Sequence, residues 1–127
     1  MKKNANGFID IEIKDLLDWT GKGPEGCIAS NKITKEGWNV GYMYREQTNS
    51  NNPDSGWMFL KGDEDEDYMN NASNFNVFAL NTICNYDSTI IQYLDAPTGT
   101  AFIRISETEF EIDKQDKPIY FSKQNRE

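Results

Sequence analysis

The stretch DSGWMFLKGDEDEDYM, residues 54–69, decides most of how this chain reads. Its first half holds Trp57, Met58, Phe59 and Leu60, apolar at both parities, the pattern of a central strand covered on both faces. Its second half breaks at Gly62 into five consecutive acids, Asp63 to Asp67. Four physical readings compete for that step: a metal site, a catalytic carboxylate cluster, a docking rim for a basic partner, or a solvated turn.

Asp63, Asp65 and Asp67 imitate the opening of a calcium-binding EF-hand loop. Tyr68 stands where that loop needs its turn glycine, and Asn74 where it needs a bidentate Glu. No metal ligand is therefore assigned. Glycoside hydrolysis requires two carboxylates at a defined separation, one with its pKa raised by burial, and a run of acids on a loop signals neither. The chain contains no histidine, which removes the Ser-His and Cys-His nucleophile systems and the commonest zinc ligand. The sequence points away from an enzyme: no catalytic residue and no cofactor is assigned.

Composition narrows the partner. The 127 residues suit one domain, and 37% hydrophobic with 13% aromatic residues is enough for a core. Thirteen basic against 21 acidic residues leave a net charge of −8. Nucleic acid is disfavoured, since binding it rests on neutralising phosphates with Lys and Arg, and so is an anionic membrane. A basic protein is what this charge attracts. The N-terminal MKKNANGFIDIEIKDLL has neither a continuous apolar run nor a small-residue cleavage site, and no segment approaches the ~18 apolar residues of a membrane span. A cytoplasmic location is expected, with Cys27 and Cys84 as reduced, buried thiols.

Outward from 54–69, the pattern predicts an α+β domain: an antiparallel sheet of about five strands carrying two or three short helices, with residues 1–7 and 120–127 frayed. A strand leading into a helix is expected over 8–19, from Ile9, Ile13, Leu16 and Leu17 at helical spacing. CIAS (27–30) reads as a short buried strand followed by a polar turn. WNVGYMYRE (38–46) alternates, with Trp38, Val40, Tyr42 and Tyr44 on one face, and pairs antiparallel with 56–61 across a long loop. DYMNNASN makes one helical turn, and FNVFALNTI (75–83) reads as a covered strand over its first part. Asp87 and Ser88 cap a helix through TIIQYL, GTAFIRI (99–105) is a strand, and a phase slip near Ser106 marks a bulge or turn before Phe110 and Ile112.

Arg45 and Glu46 end one strand while Asp54 and Ser55 precede the next, which places a charge pair at the base of the loop. The aromatic set Trp38, Tyr42, Tyr44, Trp57 and Phe59 also admits a small-ligand or carbohydrate-stacking face, although alternating aromatics are more often core. Trp57 is expected to be buried.

CIASNKI, GWNVGYMYRE, DSGWMFLKGDEDEDYMNN and LNTICNYDSTIIQYLDAPTGTAF resemble, in order, blocks of the bacterial immunity protein thirty-three family, over about residues 26–103. That resemblance implies an immunity protein of a polymorphic toxin system, which binds and neutralises a toxin and carries no known catalytic residues. Matching positions include Tyr44, Arg45, Glu46, Asp54, Ser55, Gly56, Trp57, Gly62, Asp63, Glu64, Asp65 and Tyr68. The partner face expected from resemblance and charge together comprises Tyr44, Arg45, Glu46, Asp54, Ser55, Trp57, Asp63, Glu64, Asp65 and Glu66, docked on a basic toxin. If those acids form a solvated rim, neutralising Asp63 to Glu66 should hardly change stability.

Overall fold

A computed structural model describes residues 2–48 and 54–114. The 120–127 tail lies outside them. The architecture is α+β, built on one six-stranded sheet: β1 (Gly26–Ser30), β2 (Tyr42–Arg45), β3 (Trp57–Leu60), β4 (Phe75–Ala79), β5 (Ala101–Arg104) and β6 (Phe110–Ile112), in the order β4-β1-β3-β2-β5-β6. Among the described residues three α-helices accompany it, α1 (Asn31–Thr34), α2 (Glu66–Met69) and α3 (Leu80–Tyr86), with 3-10 turns at Ala72–Asn74 and Ser88–Tyr93.

The run apolar at both parities is central, as its pattern requires. β3 pairs antiparallel with β2 on one side and parallel with β1 on the other, Ile28 opposite Met58. That parallel pair corrects the expectation of a wholly antiparallel sheet. The chain passes from β1 through α1 and β2 before β3 returns to lie beside β1. β4 and β6 are the two edge strands, pairing antiparallel with β1 and β5 respectively.

Alternation along β3 divides the core. Trp57 and Phe59 join Cys27, Ala29, Met43 and Phe102 beneath Leu80, Ile83 and Cys84 of α3, and Ile90 and Leu94 of the following turn. On the opposite face Leu60 joins Tyr42, Tyr44 and Met69, with Met58 and Phe75 at the margin. Both cysteines are free and fully buried. Burial raises both thiols, Cys84 to about 12 and Cys27 further, which suits inert core residues.

Several local expectations are revised by competition for backbone groups. Residues 8–19 hold no helix. The Asn81 carboxamide accepts from the N–H groups of Leu16 and Leu17 and donates to the Lys14 carbonyl, while Asn85 accepts from the Lys14 N–H. Two side chains of α3 thus take bonds that a helix would make internally. The polar turn after β1 is α1, capped by Ser30 and burying Ile33 and Thr34. β4 is an edge strand rather than a covered one, and the chain turns into α3 at Leu80. Leu80, Ile83 and Cys84 sit at i, i+3 and i+4, the spacing that could have announced that helix.

The strand predicted over 38–46 begins only at Tyr42. Val40 donates its N–H to Asp87 Oδ2 at 2.9 Å and accepts from Arg104 Nε at 2.6 Å, so its backbone is claimed by side chains. Gly41 then passes so close to the Lys61 carbonyl that a methyl group there would collide with it. Val40 enters the helix-covered core, whereas Tyr42 and Tyr44 lie on the other face. Asp87 also caps the 88–93 turn through Thr89, as the sequence predicts, and Ser106 Oγ accepts from Thr108 and Glu109 at the β5–β6 turn.

Candidate partner-binding face

The ten residues expected to meet a partner divide by burial into three groups. Tyr44, Ser55, Trp57 and Glu64 are buried. Arg45 is partly buried: its guanidinium lies between the rings of Trp19 and Trp57, at 5.6 and 5.8 Å, and donates to the carbonyls of Ser55 at 2.8 Å and Ala96 at 2.7 Å. Asp54 accepts from the Gly56 N–H, which holds a positive-φ glycine against Glu46. The charge pair expected at the loop base is thus replaced by bonds from Arg45 to carbonyls and from Gly56 to Asp54. Together these residues fix where the chain leaves the sheet after β2 and re-enters it at β3. Glu46, Asp63, Asp65 and Glu66 are exposed.

The acidic step is not a uniform rim. Glu64 is 1% exposed. Its two carboxylate oxygens accept the N–H groups of Lys61 and Gly62, each at 2.8 Å, and so fold the chain back at the end of β3. Asp65 is the N-cap of α2, accepting from the Tyr68 N–H at 2.8 Å. Asp63 lies between Lys61 at 2.7 Å and Lys32 at 3.0 Å. Neutralising Asp63 to Glu66 with Asn and Gln would therefore turn one of the two buried acceptor oxygens of Glu64 into a donor facing a backbone N–H, which corrects the expectation that stability would hardly change. Asp63, Asp65 and Asp67 do not converge, and among the described residues no group of three His, Cys, Asp or Glu side chains could hold a metal ion.

Hydrogen bonds from the two lysines pull the Asp63 carboxyl below its ordinary 3.8, and Asp63 raises Lys32 in return. A depressed carboxyl contributes stability above its unfolded pKa and loses it as pH falls through the folded one. Asp63→Asn should thus differ from the parent near neutrality, modestly because the pair is solvent-screened, and converge with it below pH 3.8. Urea midpoints of the two proteins across that range check this. A gap that persists unchanged at acid pH would sink it.

Sequence reasoning missed the aromatic group beside this step. Trp38, set by alternation on a strand face, is 51% exposed. Lys61 Nζ lies 4.0 Å from the centroid of its indole ring, and Lys32 Nζ lies 5.0 Å from that of Tyr68. Trp38, Lys61, Asp63, Lys32 and Tyr68 form a continuous surface row of ring, cation, carboxylate, cation and ring, with Asp65, Glu66 and Asp67 exposed on the same turn and helix. Cation–π and ion-pair contacts hold the indole in place without covering it. The row is an anchor with a charged margin, the composition of an interface centre and its rim.

A family model described as the immunity protein Imm33 domain matches residues 27–114. The chain belongs to that family. The Imm33 match opens at Cys27 in β1 and runs beyond β6, so it takes in the sheet but for Gly26, the buried motif residues and the exposed row alike. Neither a curated protein nor a solved structure matches the chain.

Within the Imm33 domain, Trp57, Ser55, Arg45 and Glu64 serve the fold. Trp57 Nε1 donates to the Leu94 carbonyl at 3.1 Å, and the Ser55 hydroxyl accepts from the Trp57 N–H. The aromatic face needed for sugar stacking is not formed. Trp57 and Phe59 lie under the helices, and Tyr42 and Tyr44 are buried on the opposite side of the sheet.

Proposed function

We propose that this protein is a cytoplasmic immunity protein of a polymorphic toxin system, and that it neutralises a basic protein toxin by occlusion rather than catalysis. Family membership supports a toxin as the partner. The observation that carries the choice of face is the exposed Trp38 indole, held by Lys61 beside Asp63 and the acidic first turn of α2. A half-exposed indole supplies a contact that becomes desolvated on binding, and the acids around it draw a basic partner into encounter. A net charge of −8 extends that attraction over the whole molecule.

The two roles separate kinetically. Trp38→Ala should speed dissociation from the cognate toxin by roughly ten-fold or more, and leave association nearly unchanged. Glu66→Gln with Asp67→Asn should instead slow association at low ionic strength, by a margin that narrows as salt is raised. All three positions are exposed, so thermal unfolding should shift little. Association and dissociation rates across a salt series test the face. Rates matching the parent for both variants would place the toxin elsewhere on the molecule.

A further inference from the structure

The two ends of the sheet are built differently. β6 spans three residues, carries Glu111 and follows Glu107 and Glu109, so its edge is short and charged. β4 spans five residues, Phe75–Ala79, with no charge, no proline and no break in its register against β1. Charges, prolines, bulges and short length are the devices that keep an edge strand from pairing with another chain, and β4 has none of them. No charged residue stands between Asp67 and Asp87, the longest such interval in a chain that is 27% charged.

Hydrogen-bond phase gives the edge its content. The Leu80 N–H donates to the Glu25 carbonyl, and in an antiparallel pair the bonded positions alternate. Phe78 and Asn76 therefore bond to β1, while the backbone groups of Val77 and Ala79 point away from it. The described residues place no strand on that side. The Phe75 N–H is already satisfied by the Ala72 carbonyl. Val77 is 73% exposed, at the mouth of an apolar groove of about 310 Å³ that is also lined by Ile28, Met58, Met69 and Phe75.

We infer that the β4 edge is a self-association surface, on which a second copy of this chain pairs antiparallel about a two-fold axis at Val77. The register is self-complementary. Val77 exchanges two backbone bonds with its counterpart, and each Ala79 N–H meets the free Phe75 carbonyl of the other copy. The Phe75 N–H, already used, is not needed. Each Phe75 ring then neighbours a small Ala79 side chain, and the two Val77 side chains lie together where the grooves meet. Charge selects this occupant. A basic partner gains nothing from an uncharged strip, whereas two chains of −8 can approach closely only where neither presents a carboxylate. This surface borders the proposed toxin-binding face, because the Tyr68 ring packs edge-on against Phe75 at 5.7 Å.

Salt separates self-pairing from toxin binding. Screening relieves repulsion between like-charged copies, so dimerisation should strengthen as ionic strength rises, the opposite of attraction to a basic toxin. Sedimentation velocity over a concentration series, on the chain alone, should show a species of twice the 14.6 kDa chain mass. Val77→Lys puts two ammonium groups face to face and should weaken the dimer roughly ten-fold or more, while Ile112→Lys on the charged edge should leave it intact. Concentration-dependent protection of the Val77 and Ala79 amides from hydrogen exchange reads the same contact in the unsubstituted protein. A monomer at every concentration and salt would overturn the inference. So would a dimer indifferent to Val77→Lys, or an edge whose amides become protected only when toxin is added.

Discussion

Trp57→Ala is expected to destabilise the protein by about 3–5 kcal/mol, the range for truncating a large aromatic ring in a core. The indole is 1% exposed. It stacks against Phe59 and Phe102 with ring centroids 6.1 and 6.3 Å away, and the Arg45 guanidinium lies 5.8 Å from the ring. Its loss leaves a cavity in the centre of the sheet, an orphaned Leu94 carbonyl and a guanidinium without one of its two aromatic walls. Trp57→Phe should cost clearly less, because the stacking survives and only the hydrogen bond and part of the volume are lost. Urea denaturation with a common slope measures both. A Trp57→Ala midpoint close to the parent would mean that the ring is not part of the core.

Asp87→Ala is expected to cost a comparable amount, about 3–5 kcal/mol, because it leaves a buried guanidinium uncompensated. Asp87 and Arg104 are joined at 2.6 Å, with side chains 5% and 15% exposed. The pair is saturated on both sides. Asp87 accepts from the Val40 and Thr89 N–H groups and from the Thr89 hydroxyl, while Arg104 donates to the carbonyls of Val40, Ser106 and Glu107. Removing the carboxylate therefore frees the entry to β2, uncaps the 88–93 turn and strands the cation. Arg104→Ala should cost a similar amount, and the double variant distinctly less than the two singles together, since residues of one network are not additive. Additive losses would show that the two side chains act separately.

Parts of this arrangement were legible because they depend on neighbours in sequence. The covered strand at 57–60 follows from its apolar parity, the cap at Asp87 from its place before a polar turn and an apolar run, and the turn at Ser106 from the phase slip between Ile105 and Phe110. Burial of Trp57 followed from the same parity. Glu64 was not legible: one carboxylate among five is turned inward by two N–H groups that only the bend at Lys61 and Gly62 presents. Trp38 was misplaced for a related reason. Its alternation with Val40 and Tyr42 is genuine in the sequence, yet Asp87 and Arg104, far along the chain, hold the Val40 backbone and end that phase.

By itself the sequence determined the fold class, the central strand and the family, along with a net charge of −8. Those properties are sums or local periodicities, and they need no knowledge of which segments meet. Tertiary structure alone decided the parallel pairing of β1 with β3 and the open edge at β4. It also decided which carboxylates and which tryptophan face water. Such choices are made where distant segments compete for the same backbone groups. The carboxamides of α3 take the bonds of residues 14–17, and the Asp87–Arg104 pair takes those of Val40, so a periodicity that is correct locally yields to a partner the local pattern does not contain.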